Sequence, residues 1–237
     1  MSALACAAEP LNLDTLVALA GIENFPELVR ELRGVMTGRV RAFVETVGKE
    51  DDRYFTTLHD SAREYLLGER PDDTMSGDEQ QLDLLATTAM ATHRRIIDRY
   101  LVALFGTTVP AVVTTDPRRL GQLDAGYGLR NLAGHLAAVG DVDVLHQLLT
   151  AEIARGREPA NAWFSAHAAH GTFADYQESL ALARRLAAED TDMDLEQGGL
   201  AGSMAREIRY ALMAGSVESI TAGVRPGLLR ALVEGRV

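Results

Sequence analysis

Val40-Arg-Ala-Phe-Val-Glu-Thr-Val47, then Gly48-Lys-Glu-Asp-Asp52, then Tyr54-Phe-Thr-Thr57: a valine-rich run, a polar turn and a returning aromatic run. β-Branched and aromatic side chains fit a pleated surface, and glycine with short polar residues fits the reversal, so the spacing predicts a β-hairpin. On its N-terminal side Leu13, Leu16, Val17 and Ala20 recur at helical spacing, with Asn12 placed to cap the start and Gly21 the end. Phe25, Leu28, Val29 and Leu32 repeat the stripe, and Pro26 stands in the first turn, where a helix tolerates it. On the C-terminal side Leu58, Ala62, Tyr65 and Leu66 set up a helix that stops at Gly68. Helix, helix, hairpin and helix within residues 1–68, with residues 1–9 supplying at least part of a first helix, outline a winged-helix domain.

Residues 69–78 are polar and hold Pro71 and Gly77, which predicts a linker. Residues 79–237 then read as an antiparallel helical array. Leu82, Leu85, Ala89, Ile96, Tyr100 and Leu104 keep helical spacing over one long span, and the segment from Gly106 to Pro117 interrupts it. Three helix pairs follow, 125–139 with 141–150, 160–170 with 172–188, and 200–221 with 226–234. They are punctuated by Gly140-Asp141, Gly171-Thr172 and the stretch from Gly223 to Pro226. Their rough period of about 35 to 40 residues is that of helical repeats, and the close of the chain without a polar capping repeat leads us to expect a further repeat or another surface beyond it.

The totals agree with a mainly α class. Hydrophobic residues make up 47% of the 237, enough for a core, while aromatics are only 5%. A formal net charge of −11, with Lys49 the only lysine, repels a phosphate backbone and disfavours nucleic acid as a partner. Cys6 stands alone, so no disulfide forms within the chain and the reducing cytoplasm is the expected compartment. No apolar run reaches the roughly 18 to 20 residues of a membrane span, and no basic leader opens the chain.

Chemistry is sparse. A phosphate-cradling Gly-x-x-x-x-Gly-Lys-Ser/Thr run is absent, as are a serine nucleophile elbow, a His-Glu-x-x-His helix and a calcium loop. We therefore expect no enzyme and no cofactor. His167 and His170, three apart beside Trp163, could share a metal if a third ligand came from elsewhere, and otherwise pack between helices. His93 and His135 read as core or interface histidines without an identifiable partner. The acidic stretch from Glu189 to Glu196 reads as a solvated connection. In a DNA-reading winged helix the helix from Phe25 to Arg33 would enter the major groove, but Glu23, Glu27 and Glu31 outnumber Arg30 and Arg33.

Tyr54-Phe-Thr-Thr-Leu-His-Asp-Ser-Ala-Arg-Glu-Tyr-Leu66 resembles the end of the winged-helix domain of STAND-class signalling NTPases, the NB-ARC or AP-ATPase group. There a strand leads into a hydrophobe-His-Asp element and a helix, and Leu58-His59-Asp60 matches that element. The stretch from Tyr127 to Leu149 is similar to the helical segment that follows in bacterial members. The stretches from Arg209 to Ser219 and from Arg225 to Val233 are similar to the next one. The resemblance implies a nucleotide-sensing role for His59 and Asp60, in which the histidine approaches the β-phosphate of ADP held by a separate P-loop domain. The alternative for His59 is a local one: Asp60 or Ser61 caps the helix and the imidazole packs nearby. The expectation is thus a non-catalytic regulatory module that binds other protein domains, a nucleotide-binding NTPase domain among them. A DNA-binding transcriptional regulator is the alternative.

Overall fold

Asn12 accepts the Thr15 N–H at 2.8 Å through its side chain and so starts helix α2, Leu13–Ala20, while the Gly21 N–H closes it on Ala18 O. A computed structural model describes residues 1–38, 40, 42–48, 53–69, 79–108, 117–155, 158–197 and 201–223. Helix α1 (Ser2–Cys6) and the two-residue strand β1 (Leu11–Asn12) precede α2; α3 (Pro26–Thr37), β2 (Val44–Val47), β3 (Tyr54–Thr57) and α4 (Asp60–Leu67) follow it. Pro26 occupies the first helical turn of α3, as its missing N–H allows.

The hairpin is antiparallel, pairing Val44 with Thr57 through Val47 with Tyr54, and β1 adds to the free edge of β3 to give the order β1-β3-β2. β2 is shorter than the expected strand because Phe43 N–H bonds back to Val40 O at 2.8 Å, making a turn before pairing begins. The expected turn at 48–52 lies, apart from Gly48, outside the described residues. β1 was not anticipated, since two residues are too few to show alternation.

The stripe expected to bury α3 does so only at its C-terminal end. Met36 is buried and Leu32 packs against the core, but Phe25 and Leu28 remain 56% and 45% exposed.

Helix α5, Glu79–Phe105, is the axis on which both halves rest. α1 and α4 pack against its first half, where Gly68 closes α4 in the left-handed region, φ 76°. A Cβ at Gly68 would stand 2.6 Å from Leu82 O, so any larger residue pushes α4 off α5. Of the expected linker only Glu69 is described.

Two 3-10 turns, Pro117–Gly121 and Leu123–Gly126, lead into α6 (Tyr127–Ala138) and α7 (Val142–Thr150). A second hairpin, β4 (Glu152–Arg155) with β5 (Glu158–Asn161), comes next. After it stand α8 (Ala162–His170), α9 (Phe173–Gln197) and α10 (Ala201–Gly223). The hairpin was unforeseen: only Ile153 is β-branched in its strands, and Pro159 argues against pairing. α9 runs through the acidic stretch read as a connection, because acidic residues without glycine or proline do not stop a helix. The expected helix 226–234 lies outside the described residues.

Among the described residues the fold is thus ten α-helices with a small antiparallel sheet and a separate hairpin. One hydrophobic core is continuous from Leu4, Leu19 and Phe55 through Ile96 and Tyr100 to Leu136, Leu149, Leu180 and Tyr210. No helix among the described residues is long and apolar enough to cross a membrane.

Cys6 belongs to this core, with its Sγ directed at Ala89 O at 3.6 Å. Burial pushes its thiol up to about 11. At pH 8 the thiolate is then ~0.1% of the population, so alkylation by iodoacetamide should run at least ~100-fold slower in the folded protein than in urea. Equal rates in the two states would place Cys6 at the surface.

Candidate functional site

β3 ends at Thr57, and Leu58 N–H donates to Phe43 O at 2.9 Å, tying the exit of β3 to the entry of β2. His59 follows as the cap of α4 in extended conformation, φ −134° and ψ 141°, with its carbonyl accepting from Ala62 and Arg63. His59 is itself the cap residue of α4, and its side chain makes no capping hydrogen bond. Asp60 is the first helical residue, where the helix dipole favours its charge. Both His59 and Asp60 are exposed, and beside them Leu58 and Phe43 are 40% and 55% exposed. An imidazole, a carboxylate and an apolar flank are therefore exposed together at the junction of sheet and helix.

His93 and His135, expected to pack without an identifiable partner, come together. Their Nδ1 atoms are 2.7 Å apart and their rings 4.9 Å, while His135 Nε2 lies 2.8 Å from the Tyr127 hydroxyl, which also accepts the Ala8 N–H at 3.4 Å. Burial first, then His93, holds the His135 imidazole down to about 3; burial and then Arg63 lower His93. Tyr127 and His135 lie about two turns apart on one helix, a spacing that could have been noticed. The separation of His93 from His135 by 42 positions left no local trace.

His167 and His170 do not converge. His167 is fully buried beside Trp163, with Nδ1 2.8 Å from Thr172 Oγ1 and 3.0 Å from its carbonyl. His170 is exposed, and its Nε2–H donates to Arg118 O at 2.7 Å. The two histidines thus turn to different partners, Thr172 and Arg118, rather than to one ion. Among the described residues no group of three His, Cys, Asp or Glu side chains gathers as a metal site. Burial holds His167 down to about 4. The sequence missed His146, which stacks on Tyr210 at 5.3 Å between centroids and is hydrogen-bonded to its hydroxyl.

Two arginines fasten the N-terminal elements to the array. Arg99 forks onto Asp124, Nε–Oδ2 2.7 Å and Nη2–Oδ1 3.0 Å, and reaches Glu23 at 2.7 Å, while the Tyr100 hydroxyl donates to the same carboxylate. Arg130 forks onto Glu9 at 2.6 to 3.2 Å, with Asn131 adding a third donor. Asp124 and Ala125 both stand at positive φ, 50° and 54°, a strained turn that the Arg99 fork and the Tyr100 hydroxyl hold in place. These pairs join segments far apart in sequence, while α4, which His59 caps, packs directly on α5.

Compared with models of known families, with characterised proteins and with solved structures, the chain gives no match.

Proposed function

We propose that this chain is a non-catalytic regulatory module, the winged-helix and helical arm of a STAND-type switch, working in the cytoplasm through contacts with other protein domains. Its surface partner is a nucleotide-binding NTPase domain, since no P-loop sequence occurs in these 237 residues. The observation that carries the reading is the exposure of His59 at the sheet-to-helix junction with an apolar flank of Leu58 and Phe43. An interface needs an apolar centre beside a few polar groups that set register, and this surface has both. The order α1-β1-α2-α3-β2-β3, with β3 central in the sheet, supports the winged-helix part of the reading. The stacked helices of the array would serve as the lever.

The test is surface plasmon resonance of the chain against a purified STAND P-loop domain from the genome that encodes it, loaded with ADP or with a non-hydrolysable ATP analogue. Tighter binding to the ADP form, weakened about tenfold by His59→Ala, supports the reading, because a charged or polar contact to phosphate is worth about 1.5 kcal/mol. Indifference to both the nucleotide and the substitution would remove it. The isolated chain should hydrolyse no ATP, and millimolar ADP should leave its melting temperature unchanged.

A DNA-binding transcriptional regulator is the second reading, favoured by the exposure of α3 along its outer face, including Arg30. Glu23, Glu27 and Glu31 line the same stretch and oppose it. Micromolar binding to duplex DNA with a steep salt dependence, measured by fluorescence anisotropy, would decide for this second reading.

A further inference from the structure

A cleft of about 580 Å³ lies where the N-terminal helices meet the array, walled by α1, α4, α5, α6 and α9. That volume is within the range of small-molecule sites, which favour such junctions. Ala86, Ala89, Met90, Ala133, Ala138 and Leu182 make most of its lining apolar.

Two polar groups enter it with their orientation fixed and their outer atoms uncommitted. Arg63 is half-buried and donates Nε–H to Ala5 O at 2.9 Å, which sets the plane of its guanidinium; among the described residues neither Nη has an acceptor. His93 has its Nδ1 engaged by His135, and among the described residues its Nε2 has no partner.

The tautomer follows from counting donors. The Tyr127 hydroxyl is buried and already accepts the Ala8 N–H, so its own proton finds an acceptor only at His135 Nε2. His135 Nδ1–H then donates to His93 Nδ1, and His93 is left with Nε2–H pointing outward from the pair. An arginine fork and an imidazole N–H lining one largely apolar cleft have the chemistry of a receptor for a planar anion. Arg130 is already forked onto Glu9, and the acidic lining residues Glu69 and Glu178 are exposed to solvent.

We propose that this cleft binds a small amphipathic carboxylate, its head on Arg63 and His93 and its tail on the apolar wall formed by α5, α6 and α9. His59 does not line the cleft, so the proposal stands or falls independently of the switch reading. A ligand there touches both the N-terminal helices and the array.

Octanoate is the probe, with octan-1-ol as the uncharged control, followed by amide chemical shifts in the full chain. Saturable shifts at Ala5, Arg63, His93 and Ala133 are expected, with octan-1-ol binding about tenfold more weakly, the loss of one charge-assisted pair. Gly134 lines the cleft on α6, and a Cβ there would meet nothing within 4 Å, so the side chain of Gly134→Leu starts in open space and should fill the cleft and abolish the shifts. Since Arg63 also holds α1, this filling variant is the decisive one. No saturable binding of octanoate, equal binding of the alcohol, shifts confined to α3 or α10, or unchanged binding in Gly134→Leu would each overturn the proposal.

Discussion

Gly128→Ala should destabilise the protein by about 3 kcal/mol, the upper end for forcing one extra group into a packed core. Gly128 is the second residue of α6, and a Cβ there would stand 2.6 Å from Cγ of Tyr100, whose ring is fully buried. The ring cannot turn aside, because its hydroxyl is held by Asp124 at 3.0 Å and the neighbouring Tyr127 ring stacks 6.3 Å away. α6 must therefore move away from α5, which also loosens the strained turn at Asp124 and Ala125. The sign makes this a sharp test. Helix propensity alone favours alanine over glycine by about 1 kcal/mol, so without the close approach the same substitution would stabilise the chain. Urea denaturation followed by circular dichroism distinguishes the two directions, and a raised midpoint would mean that α5 and α6 do not approach as described.

That contact also shows what sequence could and could not convey. Asn12, Pro26, Asp141 and the glycines at 21, 68 and 171 act over three or four residues, so the helix ends they set were legible. The mainly helical class followed from them and from the leucine and alanine stripes. β1 was invisible because its stability comes from pairing with Phe55, some 44 positions away. α3 misled because its stripe is periodic whether or not anything covers it; Phe25 and Leu28 have the right spacing and stay exposed. The junction at His59 was legible as a position, since the end of a strand and the start of a helix are local events. Its exposure, and the apolar flank supplied by Phe43 from the other strand, depended on the hairpin register. The cleft was least legible of all, as Arg63, His93 and Gly134 come from three different helices.

Buried histidines make the protein sensitive to mild acid. His135 and His167 are 3% and 0% exposed, and burial holds them down to about 3 and about 4, while His93 and His146 are lowered as well. In the unfolded chain all four titrate near the ordinary value of about 6.5. Between those limits the unfolded state takes up protons that the folded state refuses, so stability is complete above pH ~6.5 and falls as the pH drops toward the folded values. Each such histidine contributes a slope of about 1.4 kcal/mol per pH unit, and His135 with His167 together cost about 5 kcal/mol by pH 4.5. That is comparable to the whole stability of many domains, about 5 to 15 kcal/mol. Free carboxylates titrate near pH ~4 and enter mostly below this window. An imidazolium shared between His93 and His135 would let the folded state accept a proton early. Arg63 stands close enough to lower His93, the cleft carboxylates Glu69 and Glu178 are exposed to solvent, and among the described residues no carboxylate raises either histidine, so burial wins. Urea midpoints measured from pH 7.5 to 4.5 should therefore fall steeply below pH ~6.5. His135→Gln and His167→Gln, whose amides never charge, should each flatten the slope by about 1.4 kcal/mol per pH unit whatever they do to stability at neutral pH. A profile level across this range in the unsubstituted protein would show that water reaches these rings and that the core drawn around them is open.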